Sequence, residues 1–156
     1  MLIRAATLAD LDAVRETEDE VFRTDLYPRF FFRQAHDLWP DLLRVAELPA
    51  GGLAGHVVGA LSMRPEEAWI LSAAVRAAHR GRGVATRLIE SLLDVLAGSP
   101  VREVRLTVRP ANTGAVALYE RLGFRPVADE PDYYGPGERR LVMRIRLARD
   151  GAGRLP

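Results

Sequence analysis

The sequence predicts a mixed α/β fold, with a central sheet of about seven strands flanked by about four helices. Three observations predict it. Short apolar or alternating runs recur between helical patterns, in the order β-α-α-β-β-β-α-β-α-β-β. One run, Trp69 to Val75, is nearly uncharged and reads as a central strand. That strand passes through a tight loop of glycines and arginines into a strongly amphipathic helix.

The elements follow in order. Ile3 to Ala6 reads as a first strand. Thr7 reads as a helix N-cap, with Asp10 in the capping-box position more often held by Glu or Gln. Leu11, Val14, Glu18 and Val21 give the first helix a mostly apolar stripe. A second helix begins near Pro28, ends before Pro40 and carries Phe30, Phe31, Phe32, Leu38 and Trp39. Three consecutive phenylalanines cannot share one helix side, so at least one is expected to meet solvent, a ligand or a partner. Leu43 to Leu48 and Val57 to Met63 flank a glycine-rich turn over Ala50 to Gly55 and predict a hairpin. Beyond the glycine–arginine loop, Val84, Leu88, Leu92 and Leu96 recur every fourth residue, and Gly98-Ser99-Pro100 stops that helix. Val104, Leu106 and Val108 alternate with Glu103, Arg105, Thr107 and Arg109, giving a strand with two distinct faces. Asn112 can cap a fourth helix through Ala115, Val116, Tyr119 and Leu122, which Gly123 ends. Phe124 to Ala128 and Leu141 to Leu147 are the last strands, joined through Asp132-Tyr133-Tyr134-Gly135-Pro136-Gly137. Residues 1–148 are expected to form a single domain, with 149–156 a flexible C-terminal tail.

Composition narrows the function. With 22 Lys plus Arg against 21 Asp plus Glu, the net charge is +1, too weak a field to gather nucleic acid. The N-terminus lacks the basic-then-apolar order of a signal peptide, and no run approaches the roughly 18 apolar residues of a membrane span. A cytoplasmic protein with no membrane or nucleic-acid partner is the expectation. Cysteine is absent, which excludes disulfides, thiolate metal sites and a cysteine nucleophile. His36, His56 and His79 show no zinc-type spacing, so no metal is expected, and they read as exposed or locally hydrogen-bonded.

Chemistry concentrates in the run from Val75 to Leu88. Gly81 and Gly83 allow close approach of backbone to another group, and the start of the following helix presents unpaired N–H groups. With arginines beside them they make an anion cradle suited to a phosphate-bearing cofactor. No GxGxxG follows the first strand, and no lysine accompanies the glycines, so dinucleotide and Walker-type loops fit worse.

Arg80-Gly81-Arg82-Gly83-Val84-Ala85 matches the Q/R-x-x-G-x-G/A signature of the GNAT superfamily of N-acetyltransferases. The stretch Asn112 to Phe124, with Tyr119 inside it, resembles the superfamily's second signature. Within the superfamily, Asp132-Tyr133-Tyr134 and Leu141-Val142-Met143 strengthen a resemblance to the ribosomal-protein-alanine N-acetyltransferase group. The resemblance covers residues 1–147 and is most specific from Leu71 to Phe124. It implies the acyl-CoA N-acyltransferase fold and an enzyme that transfers acetyl from acetyl-CoA directly to a primary amine, with a protein or peptide N-terminus as first-choice acceptor. A small-molecule amine acetyltransferase, or a non-catalytic acyl-CoA-binding sensor, are the alternatives.

The resemblance also assigns roles. Arg80, Gly81, Arg82, Gly83, Val84, Ala85 and Thr86 would form the cofactor loop, the amides of Arg82 to Thr86 holding the CoA pyrophosphate and Arg80 and Arg87 adding charge, with the pantetheine arm beside Ala73 and Val75. Ala73 and Ala74 suit either close passage of that arm or dense core packing. Asn112 would contact the cofactor's polar arm or simply cap its helix. Tyr119 would protonate the departing thiolate. Phe22 and Tyr27 would face Tyr133 and Tyr134 across the acceptor, unless the paired tyrosines are only structural. Relatives often place Glu or His where Thr107 stands, so the usual base is missing. Arg102, Arg105 and Arg109 either steer an anion or form a solvated face. The exposed phenylalanines suit a monomer or a homodimer.

Overall fold

The computed structural model describes residues 1–22 and 26–148. The proposed tail, 149–156, lies outside the described residues. Seven strands are hydrogen-bonded in the order β1-β2-β3-β4-β5-β7-β6: β1 (Leu2–Ala5), β2 (Leu43–Glu47), β3 (Leu53–Leu61), β4 (Glu67–Val75), β5 (Glu103–Val108), β6 (Arg125–Glu130) and β7 (Arg140–Arg146). The helices are α1 (Leu11–Val21), α2 (Arg29–Leu38), α3 (Val84–Ala97) and α4 (Thr113–Arg121). The described residues form two compact units, one within Met1–Ala60 and Ile70–Val95, the other of Leu61–Trp69 with residues 96–148.

In the first unit β1, β2 and β3 run antiparallel in succession. The core gathers Ala6, Val14, Phe32, Ala35, Leu43, Val45, Leu53 and Val58, with Leu11, Tyr27, Phe31 and Trp39 packed against it. β3 is covered on both faces. His56, on one face, meets the Phe32 ring of α2 edge-on at 5.7 Å. Gly59 lies three residues on, on the opposite face, and a Cβ there would sit 2.8 Å from a Leu92 methyl of α3. The every-fourth-residue stripe of α3 is buried as its spacing predicts. Of the three phenylalanines, Phe32 is 1% exposed and Phe30 64%, with Phe31 between them.

The hairpin is longer on its second side than the glycines suggest. β3 begins at Leu53, so Gly55 is a strand residue and Met63 lies beyond the strand. Gly55 is required for approach, because a Cβ there would lie 2.5 Å from the Ala74 carbonyl oxygen of β4. Thr7 opens a 3₁₀ turn over Leu8–Asp10 before α1. The Asp10 carboxylate accepts from the Thr7 amide at 2.7 Å and from its hydroxyl at 2.8 Å.

In the second unit β7 pairs antiparallel with both β5 and β6. β6 starts one residue later than Phe124, whose side chain is fully buried, and continues to Glu130. Val104, Leu106 and Val108 are buried while Glu103, Arg105 and Thr107 on the other face are partly exposed, the alternation the sequence predicts.

Candidate functional site

β4 ends at Val75 and a 3₁₀ turn over Ala77–His79 leads into the glycine loop. Arg80 Nε donates to the Val75 carbonyl at 3.2 Å, closing the loop on its strand. Gly81 and Gly83 take φ of +72° and +73°, which L side chains rarely adopt. A Cβ at either would meet open space, so conformation rather than crowding demands glycine. The amide of Arg87 donates to the Gly83 carbonyl at 3.1 Å and begins the helical ladder. The amides of Val84, Ala85 and Thr86 precede that first bond and are left for another acceptor. Val84 buries its side chain and offers only its amide, while Arg80 and Arg82 are exposed. Free amides at a helix start beside two guanidinium groups are the donor set a pyrophosphate requires.

Along β4, Ala73 and Val75 lie on the partly exposed face with Leu71, whereas Ser72 and Ala74 face the core. Ala74 is therefore a packing residue, and only its backbone and that of its neighbours can serve a ligand. Phe22 caps the end of α1, its amide donating to the Glu18 carbonyl at 2.9 Å. Tyr27 stacks on Phe31 with ring centroids 4.0 Å apart, and its hydroxyl donates to the Leu71 carbonyl at 3.2 Å. Tyr27 is thus tied to β4 and carries a hydroxyl already engaged.

Behind β4 is a cluster that sequence reasoning missed. Ser72 Oγ donates to Glu18 Oε2 at 2.7 Å, and His56 Nε2 lies 3.1 Å from the same oxygen. Glu18, His56 and Ser72 are 1%, 0% and 6% exposed. His56 is locally hydrogen-bonded, one of the two readings, but through a buried carboxylate. The signal was present: Glu18 falls in phase with the apolar stripe of its helix, where a solvated glutamate has no place.

In the second unit Asn112 Oδ1 accepts from the Ala115 amide at 3.2 Å and caps α4. Gly123, at φ +98°, ends the turn that follows. Tyr119 is the buried residue of that helix, its ring edge-on to Phe124 at 5.7 Å. Burial alone pushes its phenol up to about 12, so the hydroxyl keeps its proton at neutral pH. Arg105 and Arg109 do not form a free cationic face: Arg105 pairs with Glu103 and Glu67, and Arg109 with Glu138.

Thr107 does not stand alone. Its hydroxyl is 3.1 Å from that of Tyr134. The Tyr134 ring meets Tyr133 edge-on at 4.8 Å and carries the Arg140 guanidinium 4.9 Å from its centroid. Burial, then the charges of Tyr134 and Glu130, hold the Tyr133 phenol above its ordinary value, so it too is a donor at neutral pH. Arg140 was missed because the apolar run suggests a strand from Leu141, which leaves the arginine in the loop. In the structure it is the first residue of β7 and is 4% exposed.

Residues 9–124 match the acetyltransferase (GNAT) family. The chain is 34% identical over 144 residues to an uncharacterized N-acetyltransferase of Methanocaldococcus jannaschii, covering 92% of this chain and 90% of that one. It is 30% identical over 154 residues to an N-alpha-acetyltransferase of Caenorhabditis elegans, covering 96% and 84%. The crystal structure of Ard1 from Thermoplasma volcanium superposes with a TM-score of 0.86 at 28% identity, covering 94% of this chain and 97% of that one. An acyltransferase sheet and a family match over most of the chain agree: this protein belongs to the GNAT family of acetyl-CoA-dependent N-acetyltransferases.

Proposed function

We propose that the chain moves an acetyl group directly from acetyl-CoA to the α-amine at the N-terminus of a protein or peptide. The observation that carries the α-amine is Thr107, a hydroxyl bound to another hydroxyl where a proton acceptor is usual among relatives. A threonine cannot take a proton at neutral pH, so the acceptor must arrive with a neutral fraction of its own. A terminal amine has a pKa of about 8 and a lysine amine about 10.4, a difference of about two-hundred-fold in neutral amine near neutrality. α-Amines are favoured by that factor. An N-terminal alanine, as in the ribosomal-protein-alanine group, is one narrower acceptor within this class.

Acetyl-CoA, when bound, supplies the activated acetyl thioester. The amides of Val84 to Thr86, with Arg80 and Arg82, hold its pyrophosphate, and the backbone around Ala73 to Val75 accompanies its pantetheine arm. Asn112 has spent its side-chain oxygen on the cap, which leaves its amide nitrogen to donate to that arm. Tyr119 would offer its hydroxyl to the cofactor's sulfur, which leaves as a thiolate. A phenol at about 12 is a weaker acid than an ordinary thiol at about 8.5, so complete proton transfer from it is uphill. Its main contribution is a hydrogen bond to the developing anion, while the proton balance is closed by the one the amine loses as its N–C bond forms. Tyr133 and Tyr134 orient the acceptor.

Transfer is direct. The chain has neither cysteine nor lysine, so a covalent acetyl-enzyme would be confined to a hydroxyl, a histidine or the Met1 amine. The experiment follows CoA release and product mass with peptides of free N-terminus, matched N-blocked peptides containing lysine, and small polyamines. Acetylation of the free N-termini at least tenfold above the blocked lysine peptides is expected. Transfer only to lysine or polyamine would overturn the α-amine reading, and tight acetyl-CoA binding without transfer to any acceptor would identify a sensor.

A further inference from the structure

Tyr134 is 61% exposed on a loop, yet it is held at three points: its hydroxyl by Thr107 at 3.1 Å, its face by Arg140 at 4.9 Å, and its edge by Tyr133 at 4.8 Å. From this geometry we infer that Thr107 and Arg140 are positioning residues that fix the Tyr134 hydroxyl for the acceptor amine. The inference rests on the acetyl-transfer reading above.

The sheet register builds the clamp. Thr107 of β5 pairs with Val142 of β7, and Arg140 lies two residues before Val142, so all three share one face. Arg140 is fastened in turn: Nη1 donates to the Arg139 carbonyl at 2.9 Å and Nη2 to Glu138 Oε2 at 3.2 Å. Glu138 also accepts from Arg109 Nη2 at 3.0 Å. The loop is closed beneath the ring, with the Gly137 amide donating to Asp132 Oδ1 at 2.7 Å and the Glu138 amide to the Gly135 carbonyl at 2.9 Å. Burying a guanidinium under an exposed ring does little for stability compared with an apolar residue of similar size. What it supplies is a fixed ring.

The hydroxyl pair explains why threonine stands there. Two hydroxyls share one hydrogen bond, which leaves one O–H and unused lone pairs facing outward. Such a pair can accept from an amine N–H and donate to a peptide carbonyl without changing its own charge. The β-branched threonine holds its Oγ in few rotamers, so the direction of the phenol is set by the strand.

The test is a double-mutant cycle read on acceptor KM in the full chain, with Thr107→Val, Tyr134→Phe and both together. Each single substitution should raise the acceptor KM by about three- to tenfold, the range of one hydrogen bond. The double variant should be no worse than the singles, because Thr107 acts through the Tyr134 hydroxyl. Thr107→Ser should stay within about twofold of wild type, and Arg140→Met should raise the acceptor KM without changing that for acetyl-CoA. Multiplying effects in the double variant would overturn the proposal, as would an unchanged acceptor KM in Thr107→Val. An equal rise in both substrates' KM would also overturn it. A wild-type protein that acetylates no amine would overturn both this and the proposed function, whereas an active wild type with an unresponsive Thr107→Val would overturn this proposal alone.

Discussion

Two polar clusters of similar make-up occupy the two units and differ in their access to water. Glu18, His56 and Ser72 are sealed, and two hydrogen-bonding groups converge on the single oxygen Glu18 Oε2. Thr107, Tyr134 and Arg140 also combine a hydroxyl, a ring and a charged group, but the phenol faces solvent. In the open cluster water takes the place of any bond removed. In the sealed one nothing does, and His56 Nδ1 already lacks a partner among the described residues. The same chemistry therefore stabilises the fold in one place and sets geometry in the other.

The sharpest way to break this comparison is Glu18→Ala. It strands two buried polar groups and opens a cavity, an expected loss of about 2–4 kcal/mol. For a chain of this size that is a fall of roughly 5–15 °C in Tm, measured by calorimetry. Thr107→Val should lower Tm by no more than about 2–4 °C. Equal losses from the two substitutions would mean that exposure does not separate the clusters. Replacing Glu18 and His56 with leucine and Ser72 with alanine together should recover much of the loss, since no side chain of the cluster is then left buried and unsatisfied.

Tyr119 sharpens it from a third position, a ring in the core whose hydroxyl is the one proposed to serve the departing sulfur. Tyr119→Phe keeps the packing against Phe124, so Tm should hold while kcat falls about 10²-fold. Because burial pushes the phenol up to about 12, the wild-type kcat should show no alkaline loss near pH 10. A downturn centred there, absent from Tyr119→Phe, would refute the burial argument.

Gly83→Val should act on the ligand more than on the fold. At φ +73° a branched residue is strained by about 1–2 kcal/mol, and relief would rotate the amides that open α3. Acetyl-CoA affinity by titration calorimetry should fall at least about tenfold, with a smaller change in Tm. Equal affinity in a folded variant would remove the loop from the cofactor site.

What could be read before the structure follows the same division. The α3 stripe and the positive-φ glycines of the loop are local consequences of residue type, and they stand where their spacing places them. Gly55 looked like a turn residue because glycine has two uses, and only the approach of the Ala74 carbonyl selects the second. Glu18 fell in an apolar stripe with no partner in view, and Arg140 fell in a loop, where a charged side chain is ordinarily solvated. Their burial depends on partners from distant strands, His56 and Ser72 for one, the Tyr134 ring for the other. Tyr133 and Tyr134 were legible as a pair on the right loop, while the hold of Thr107 on Tyr134 required the β5–β7 register.

The smallest expected effect comes from Asp10, which lies between the sealed and the open cases. Arg4 donates two hydrogen bonds to it at 2.7 and 3.0 Å, and also reaches Glu47 at 2.7 Å. Chiefly through Arg4, and with help from Thr7, the Asp10 carboxyl is held well below its usual range. A lowered folded pKa means that the unfolded chain binds a proton first as pH falls. The stabilisation is complete above the unfolded value of about 3.9 and is lost progressively as pH falls below it toward the folded value. Both side chains are partly solvated, which limits the effect to about 1 kcal/mol at neutral pH, or roughly 2–4 °C. Asp10→Asn should show that deficit at pH 7 in thermal melts. The gap to wild type should then narrow as pH is lowered from about 5 to 2, because the wild type loses the same charge. A gap that stays constant over that range would mean that the charge pair with Arg4 contributes none of it.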